Sequence, residues 1–213
     1  MITRPEVEAY LASLLPARSD LLARLEREAA DERIPIIQPA SAQLIRLWLL
    51  AQQPVRILEI GTAIGYSTIW LAEAAPQARI TTIEIDANRA SRARANLAAA
   101  GAAERVEVIV GDAVADVPNV AGPFDCLFID AAKGQYRTFL DRYLPLVRVG
   151  GSVICDNVLF RGWVSAPEQA DQRRRPLVEK IARYNRYLAE HPQLETSFIP
   201  IGDGLAISIK TRS

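Results

Sequence analysis

Two acids and an amide form the first chemically suggestive set in this sequence. Asp130 closes Phe128-Ile129-Asp130, and Asp156-Asn157 follows Cys155, each at the end of a short apolar run. At neighbouring strand ends they would present oxygen donors only. Buried carboxylates that close repel unless neutralised. A hard divalent cation neutralises them, and an oxygen set completed by water and substrate suits magnesium, with manganese or calcium as substitutes. The plainer alternative is a pair of capping residues at two strand ends. Lys133, three residues after Asp130, stands at the mouth of the same site. An amine there accepts a proton or steadies an oxyanion.

A second set begins at Glu59-Ile60-Gly61-Thr62-Ala63-Ile64-Gly65-Tyr66-Ser67. Gly61 lets a ligand approach the backbone, and Gly65 opens a helix whose first amides face that ligand. A pyrophosphate site prefers the spacing G-x-G-x-x-G with no acid beside it. Here the spacing is G-x-x-x-G and Glu59 precedes it. A carboxylate suits the cationic amino-acid end of S-adenosylmethionine (SAM) and repels phosphate. Glu84 ends the next apolar run, where an acid bonds ribose hydroxyls in dinucleotide and SAM folds alike. The alternative role, helix N-cap, falls better to Asp86, directly before Ala87. Gly111-Asp112-Ala113 follows a third run. Asp112 can meet an adenine amino group or, equally, cap a short helix.

These residues need a scaffold that gathers strand ends. Candidate strands are Arg56–Ile60, Arg79–Ile85, Val106–Val110, Phe124–Ile129 and Ser152–Cys155, most of them apolar with little alternation, as expected of strands covered on both faces. Candidate helices are Gly65–Ala75, Ala87–Ala100 and Gln135–Val147. Such alternation predicts an α/β fold with a mostly parallel sheet and right-handed crossovers. Helices near 4–14, 18–32 and 39–52 precede it. A helix over 171–190 would carry Leu177, Ile181, Tyr184 and Leu188 on one face. Strands Ser197–Ile201 and Leu205–Lys210 flank Gly202-Asp203-Gly204, and Asp-Gly between β runs signals a hairpin. Five parallel strands and a closing hairpin are the plan of a seven-stranded SAM-dependent methyltransferase (Rossmann-like) sheet. No repeat or linker interrupts residues 1–213, which predicts one methyltransferase domain: N-terminal helices over 1–52 and a SAM-binding core over 53–213.

Composition removes several classes. Twenty-five basic and 25 acidic residues balance, so any nucleic-acid contact needs a local patch. A single histidine, His191, excludes a multi-histidine metal site. Cys126 and Cys155 both lie in strand-like runs and read as buried free thiols. No apolar run approaches the roughly 20 residues of a membrane span, and the first residues lack the apolar core of a signal peptide. A cytoplasmic protein without membrane contact is expected. Arg173-Arg174-Arg175 opens the last long helix. Arginines suit RNA phosphates. A solvated helix start is the alternative, although cations sit badly at the positive end of a helix dipole.

Leu58 to Ser67, Asp130-Ala131-Ala132-Lys133, Asp156-Asn157-Val158 and Gly202-Asp203-Gly204-Leu205 resemble the motifs of the cation-dependent O-methyltransferases related to the catechol and caffeoyl-CoA enzymes. The likeness runs nearly end to end. Within that family the chain looks similar to the bacterial tRNA 5-hydroxyuridine branch, which makes 5-methoxyuridine at the wobble position. Ile34-Pro35-Ile36, Phe128 to Tyr136, the arginine run with Tyr184-Asn185, His191-Pro192 and Ile199 to Ser208 carry that narrower likeness. Pro176 after the arginines and Ile37-Gln38 depart from it. The resemblance implies that Asp130, Asp156 and Asn157 ligate magnesium and that Lys133 serves the proton transfer. It implies that Glu84, Asp112-Ala113, Ser67 and the backbone near Ile37 hold SAM, with Glu59, Gly61 and Gly65 beside them and Asp130 near the amino group. Arg161 joins Arg173, Arg174 and Arg175 as an expected substrate contact. The implied substrate is tRNA, the alternative a small hydroxylated aromatic, and the assembly a homodimer. An NAD-dependent oxidoreductase is disfavoured by the glycine spacing, and a non-catalytic SAM-binding regulator by the intact cation set.

Overall fold

The computed structural model describes residues 4–115 and 120–213; the first three residues used in reading the N-terminus lie outside them. Seven strands follow the order β3-β2-β1-β4-β5-β7-β6 in one sheet. The chain divides into two compact units, one spanning 14–120 and the other combining the N-terminal residues with 121–213.

The first unit holds α2 (Asp20–Glu32), α3 (Pro39–Gln52), β1 (Arg56–Ile60), α4 (Tyr66–Ala74), β2 (Arg79–Glu84), α5 (Ala87–Ala99) and β3 (Val106–Val110). β1 pairs in parallel with β2, and β2 with β3. Each helix start follows from local chemistry. Ser19 Oγ accepts the Leu22 N–H, Pro39 opens α3, and Asp86 accepts the N–H groups of Asn88 and Arg89, satisfying donors that a helix start leaves unpaired. α3 packs on α4, while α5 packs on β2 and β3. Almost every residue of α4 is buried, as a crossover helix on a sheet requires.

The second unit holds α1 (Pro5–Ser13), β4 (Phe124–Ile129), α6 (Tyr136–Tyr143), β5 (Val147–Cys155), α7 (Arg175–Ala189), β6 (Leu194–Ile199) and β7 (Leu205–Lys210). β4 and β5 are parallel, whereas β7 runs antiparallel to both β5 and β6. The closing hairpin therefore contributes the one reversed strand among these pairings.

Most expected elements occur where the pattern placed them, with four shifts. β5 starts at Val147 rather than Ser152, with Arg148, Val149 and Gly150 exposed, which hides the apolar signal. α6 stops at Tyr143, because Pro145 has no N–H to extend the ladder. α7 begins at Arg175 with Pro176 in its first turn, a position proline favours. Val178, not Leu177, joins Ile181, Tyr184 and Leu188 on its buried face. β6 runs over Leu194–Ile199, leaving Pro200, which cannot donate to a ladder, in the connection. Both cysteines are buried and free. No helix among the described residues is long and apolar enough to cross a membrane.

Candidate active site

In the first unit the expected cofactor residues share the carboxyl ends of β1, β2 and β3. Glu59 is fully buried on β1. It accepts hydrogen bonds from Ser67 Oγ at 2.6 Å, Thr68 Oγ1 at 2.5 Å and Thr82 Oγ1 at 2.6 Å. The sequence reading gave this carboxylate to the amino end of a ligand. In the structure it also knots β1, β2 and the first turn of α4 together, as a buried acid with hydrogen-bond partners of the kind a core tolerates. Ser67, expected at the ligand, spends its hydroxyl proton on the same knot.

Glu84 is 6% exposed and accepts the Ala63 N–H at 2.8 Å and the Asp86 N–H at 3.0 Å. Its carboxylate thus fixes the turn after β1, where Gly61 (φ +102°), Ala63 (φ +46°) and Gly65 (φ +86°) all take left-handed backbone. At Gly65 a Cβ would sit 3.3 Å from Ala93 Cα, so glycine lets α5 close on the turn. The turn leads into α4, which starts without a side-chain cap, so its first amides remain available to a ligand. Asp112 Oδ1 accepts the Val114 N–H at 2.8 Å; the capping alternative is thus realised by one oxygen. Ala113 and Ile37 are buried.

In the second unit the register sets the other acids. Ile129 pairs with Cys155 across β4 and β5, so Asp130 and Asp156 leave the two strands at the same level. Burial raises the Asp130 carboxyl, opposed by the Lys133 ammonium. Burial, and next the Asp130 charge, push Asp156 well above the usual carboxylate range. The Asn157 N–H, donated to Asp156 Oδ1 at 2.8 Å, opposes this. Asn157 itself takes φ +60°, a conformation asparagine tolerates better than most residues. Two acids and an amide are a set that one divalent cation fits, because it would offset the burial that raises both acids and the Asp130 charge that further raises Asp156. Among the described residues no group of three or more His, Cys, Asp or Glu gathers as a metal site, so the amide is needed to complete any set here.

Sequence reasoning missed the supports. Asp203, read as part of the hairpin turn and of a family motif but given no role at the site, accepts the N–H groups of Leu159 and Phe160 on its carbonyl and that of Arg161 on its carboxylate at 3.2 Å. Its charge also raises Asp156. Tyr136 donates its hydroxyl to the Asp156 carbonyl at 2.9 Å and meets Tyr184 edge-on at 5.3 Å. The Tyr184 hydroxyl lies 2.8 Å from Cys155 Sγ. The connection between β6 and β7 exceeds a two-residue Asp-Gly turn, which was the available signal for Asp203. Nothing in sequence links Tyr136 to Asp156.

The arginines separate. Arg161 and Arg174 both lie over the Trp163 ring, 5.4 and 5.3 Å from its centroid. Arg174 also pairs with Asp171 at 3.4 Å. Arg175 donates to the carbonyls of Ala170 and Glu168. Two of the three expected phosphate contacts are therefore engaged in holding the segment before α7. Arg173 is exposed.

Residues 13–211 match the model of a family described as O-methyltransferase. The chain is 38% identical to a catechol O-methyltransferase of Mycobacterium tuberculosis, over 96% of this chain and 95% of that protein. It is 28% identical to a caffeoyl-CoA O-methyltransferase of Stellaria longipes, over 91% and 84% of the two chains. A crystal structure of an O-methyltransferase from Bacillus cereus, in complex with SAH, superposes with a TM-score of 0.84 at 30% identity, covering 99% of this chain and 100% of that one. By sequence and fold, this chain belongs to the SAM-dependent O-methyltransferase family that includes the catechol and caffeoyl-CoA enzymes.

Proposed function

We propose that this enzyme methylates one of two adjacent oxygens on a small hydroxylated aromatic, a catechol-type substrate, and that it needs a divalent cation, magnesium first. The register that releases Asp130 and Asp156 from β4 and β5 at the same level, with burial raising both carboxyls, carries this reading. Asp130, Asp156 and Asn157 would hold the cation. Once bound, the cation supplies Lewis acidity to a substrate hydroxyl and SAM supplies the electrophilic methyl group. Lys133 takes the hydroxyl proton or holds the oxyanion. SAM would pass that methyl group to the substrate oxygen in a single displacement and leave as SAH. Glu84, Asp112 and the amides after Gly65 would hold SAM. Glu59 and Ser67 shape that turn.

Exhaustive treatment with EDTA should abolish methylation of catechol, and magnesium or manganese should restore it. Full activity after chelation would remove the cation from the mechanism.

A second reading, 5-hydroxyuridine at a tRNA wobble position, keeps the same chemistry, because an enol-like hydroxyl beside a carbonyl imitates a catechol. The exposed Arg161–Trp163–Arg174 cluster favours it. The test is nucleoside mass spectrometry of tRNA from a deletion strain: retention of 5-methoxyuridine would dismiss it. Exposed Tyr10, Leu11 and Leu14 support the expected homodimer, which sedimentation would decide.

A further inference from the structure

α2 breaks its own pattern at Glu26. Its buried stripe is Leu22, Leu25 and Ala29, and Glu26 falls on the same side of the helix, one turn after Leu22. The Glu26 side chain is only 21% exposed. A carboxylate in such a stripe is costly unless partners meet it. Two do. The Tyr66 hydroxyl, from α4, donates to Glu26 Oε1 at 2.7 Å. Arg18 Nε, from the segment before α2, stands 2.6 Å from the same oxygen. Tyr66 is buried. Burial, and next the bond to Glu26, raise its phenol, so the hydroxyl keeps its proton and remains the donor.

Tyr66 opens α4 directly after Gly65, so its backbone belongs to the turn expected at SAM. Glu84 holds that turn through the Ala63 N–H, and the Asn96 side-chain amide of α5 holds it by donating to the Ile64 carbonyl at 2.9 Å. The Tyr66–Glu26 bond adds a tie to the N-terminal helices. α2 in turn aims a second segment. Arg33 ends it in left-handed backbone (φ +55°), and the Ile34 N–H returns to the Ala29 carbonyl at 2.9 Å, a close that fixes the direction of the departing chain. Three residues later comes Ile37, buried and also expected at SAM. One carboxylate thus joins two segments of the cofactor site that lie far apart in sequence.

We propose that Glu26 is a positioning residue for SAM, acting through Tyr66 to couple the docking of α2 to the cofactor turn. The coupling concerns SAM alone and holds whichever oxygen is methylated. Linkage is reciprocal, so SAM bound at the turn must stabilise α2 by the same factor that α2 contributes to SAM affinity. A bond that merely holds the fold has no such consequence.

The test measures SAM binding by calorimetry for the wild type, Glu26→Ala, Glu26→Gln and Tyr66→Phe, with hydrogen exchange of α2 in the presence and absence of SAM. Glu26→Ala and Tyr66→Phe should each weaken SAM about fivefold to tenfold. Because both break one bond, the double variant should be no weaker than the worse single one. Glu26→Gln keeps an acceptor for the Tyr66 hydroxyl and should stay within about threefold of wild type. In Glu26→Ala the KM for SAM should rise while kcat on catechol at saturating SAM stays unchanged. Wild-type α2 should exchange more slowly once SAM is bound, and that protection should shrink in Tyr66→Phe. SAM affinity within about twofold of wild type in both Glu26→Ala and Tyr66→Phe would overturn the proposal, even with a lower unfolding free energy. Full protection of α2 in Tyr66→Phe, or Glu26→Gln as weak as Glu26→Ala, would overturn it too. Should Glu26→Ala fail to fold, Tyr66→Phe, which removes a single oxygen, decides. If catechol is not methylated, calorimetry and exchange still decide the coupling while the substrate reading falls.

Discussion

Gly204 and Leu159 lie so close that a Cβ on the glycine would meet Leu159 Cγ at 2.5 Å. The Val158 N–H donates to the Gly204 carbonyl, and the next two N–H groups donate to Asp203. The turn that carries Asn157 is therefore fastened to the connection between β6 and β7.

Gly204→Ala tests that fastening. The residue has φ +89°, so alanine adds backbone strain to the clash. A loss of about 2–4 kcal/mol in urea unfolding is expected. Catechol turnover should become more demanding of magnesium, since Asn157 moves with Leu159. Unchanged stability and unchanged magnesium dependence would show that the turn adjusts freely.

Glu59→Ala should destabilise the fold by about 3 kcal/mol, because three buried hydroxyls lose their acceptor. Glu59→Gln keeps an acceptor oxygen and should cost less. If SAM affinity fell a thousandfold while unfolding free energy stayed constant, Glu59 would be a ligand contact rather than a strand knot.

Asp156→Asn removes one of the two repelling carboxylates. Turnover should fall roughly hundredfold or more, and SAM affinity should stay within about threefold of wild type. Calorimetry showing lost SAM binding with magnesium binding kept would reverse the division between the two sets.

Cys126 provides a pH test away from the site. Burial pushes its thiol up to about 12, from the 9.0 of an exposed thiol. The unfolded chain then loses this proton first as pH rises, and stability falls between pH 9 and 12. Cys126→Ser, judged by the slope of unfolding free energy over that window, should flatten the decline. An identical slope would assign alkaline lability to other groups.

Arg173→Ala should leave catechol turnover and stability unchanged, since Arg174 and Arg175 make the contacts before α7. If tRNA binds, its logarithmic salt slope should flatten by about one unit. A loss of stability from this exposed side chain would show that the arginines act together on the fold.

The strand ends were legible because buried parallel strands are written as unbroken apolar runs, and the acids that follow them stand out. Arg56–Ile60, Val106–Val110 and Phe124–Ile129 needed no adjustment. Val147–Gly151 did not read as strand because its exposed half carries arginine and two glycines. At the site, residue type announced Asp130, Asp156 and Asn157 as donors. Partners distant in sequence decided the rest: Thr82 for Glu59, Ala63 for Glu84, Asp203 for Arg161, and Tyr136 for Asp156. The three hydroxyls that meet Glu59 come from α4 and β2, and only the fold brings them to it.

The sheet order β5-β7-β6 also bears on how the chain matures. β6 leaves the ribosome before β7, yet β7 is its strand partner in the sheet. Until β7 has emerged, β5 keeps one edge bare and β6, although it packs on α7, has no strand to pair with. The Lys210 ammonium then closes the gap by donating to the carbonyls of Leu144 and Val147 at 3.1 and 2.9 Å. Synthesis that stalls a few residues before Lys210 leaves two bare strand edges on the nascent chain, the surfaces that chaperones shield and neighbouring chains add to.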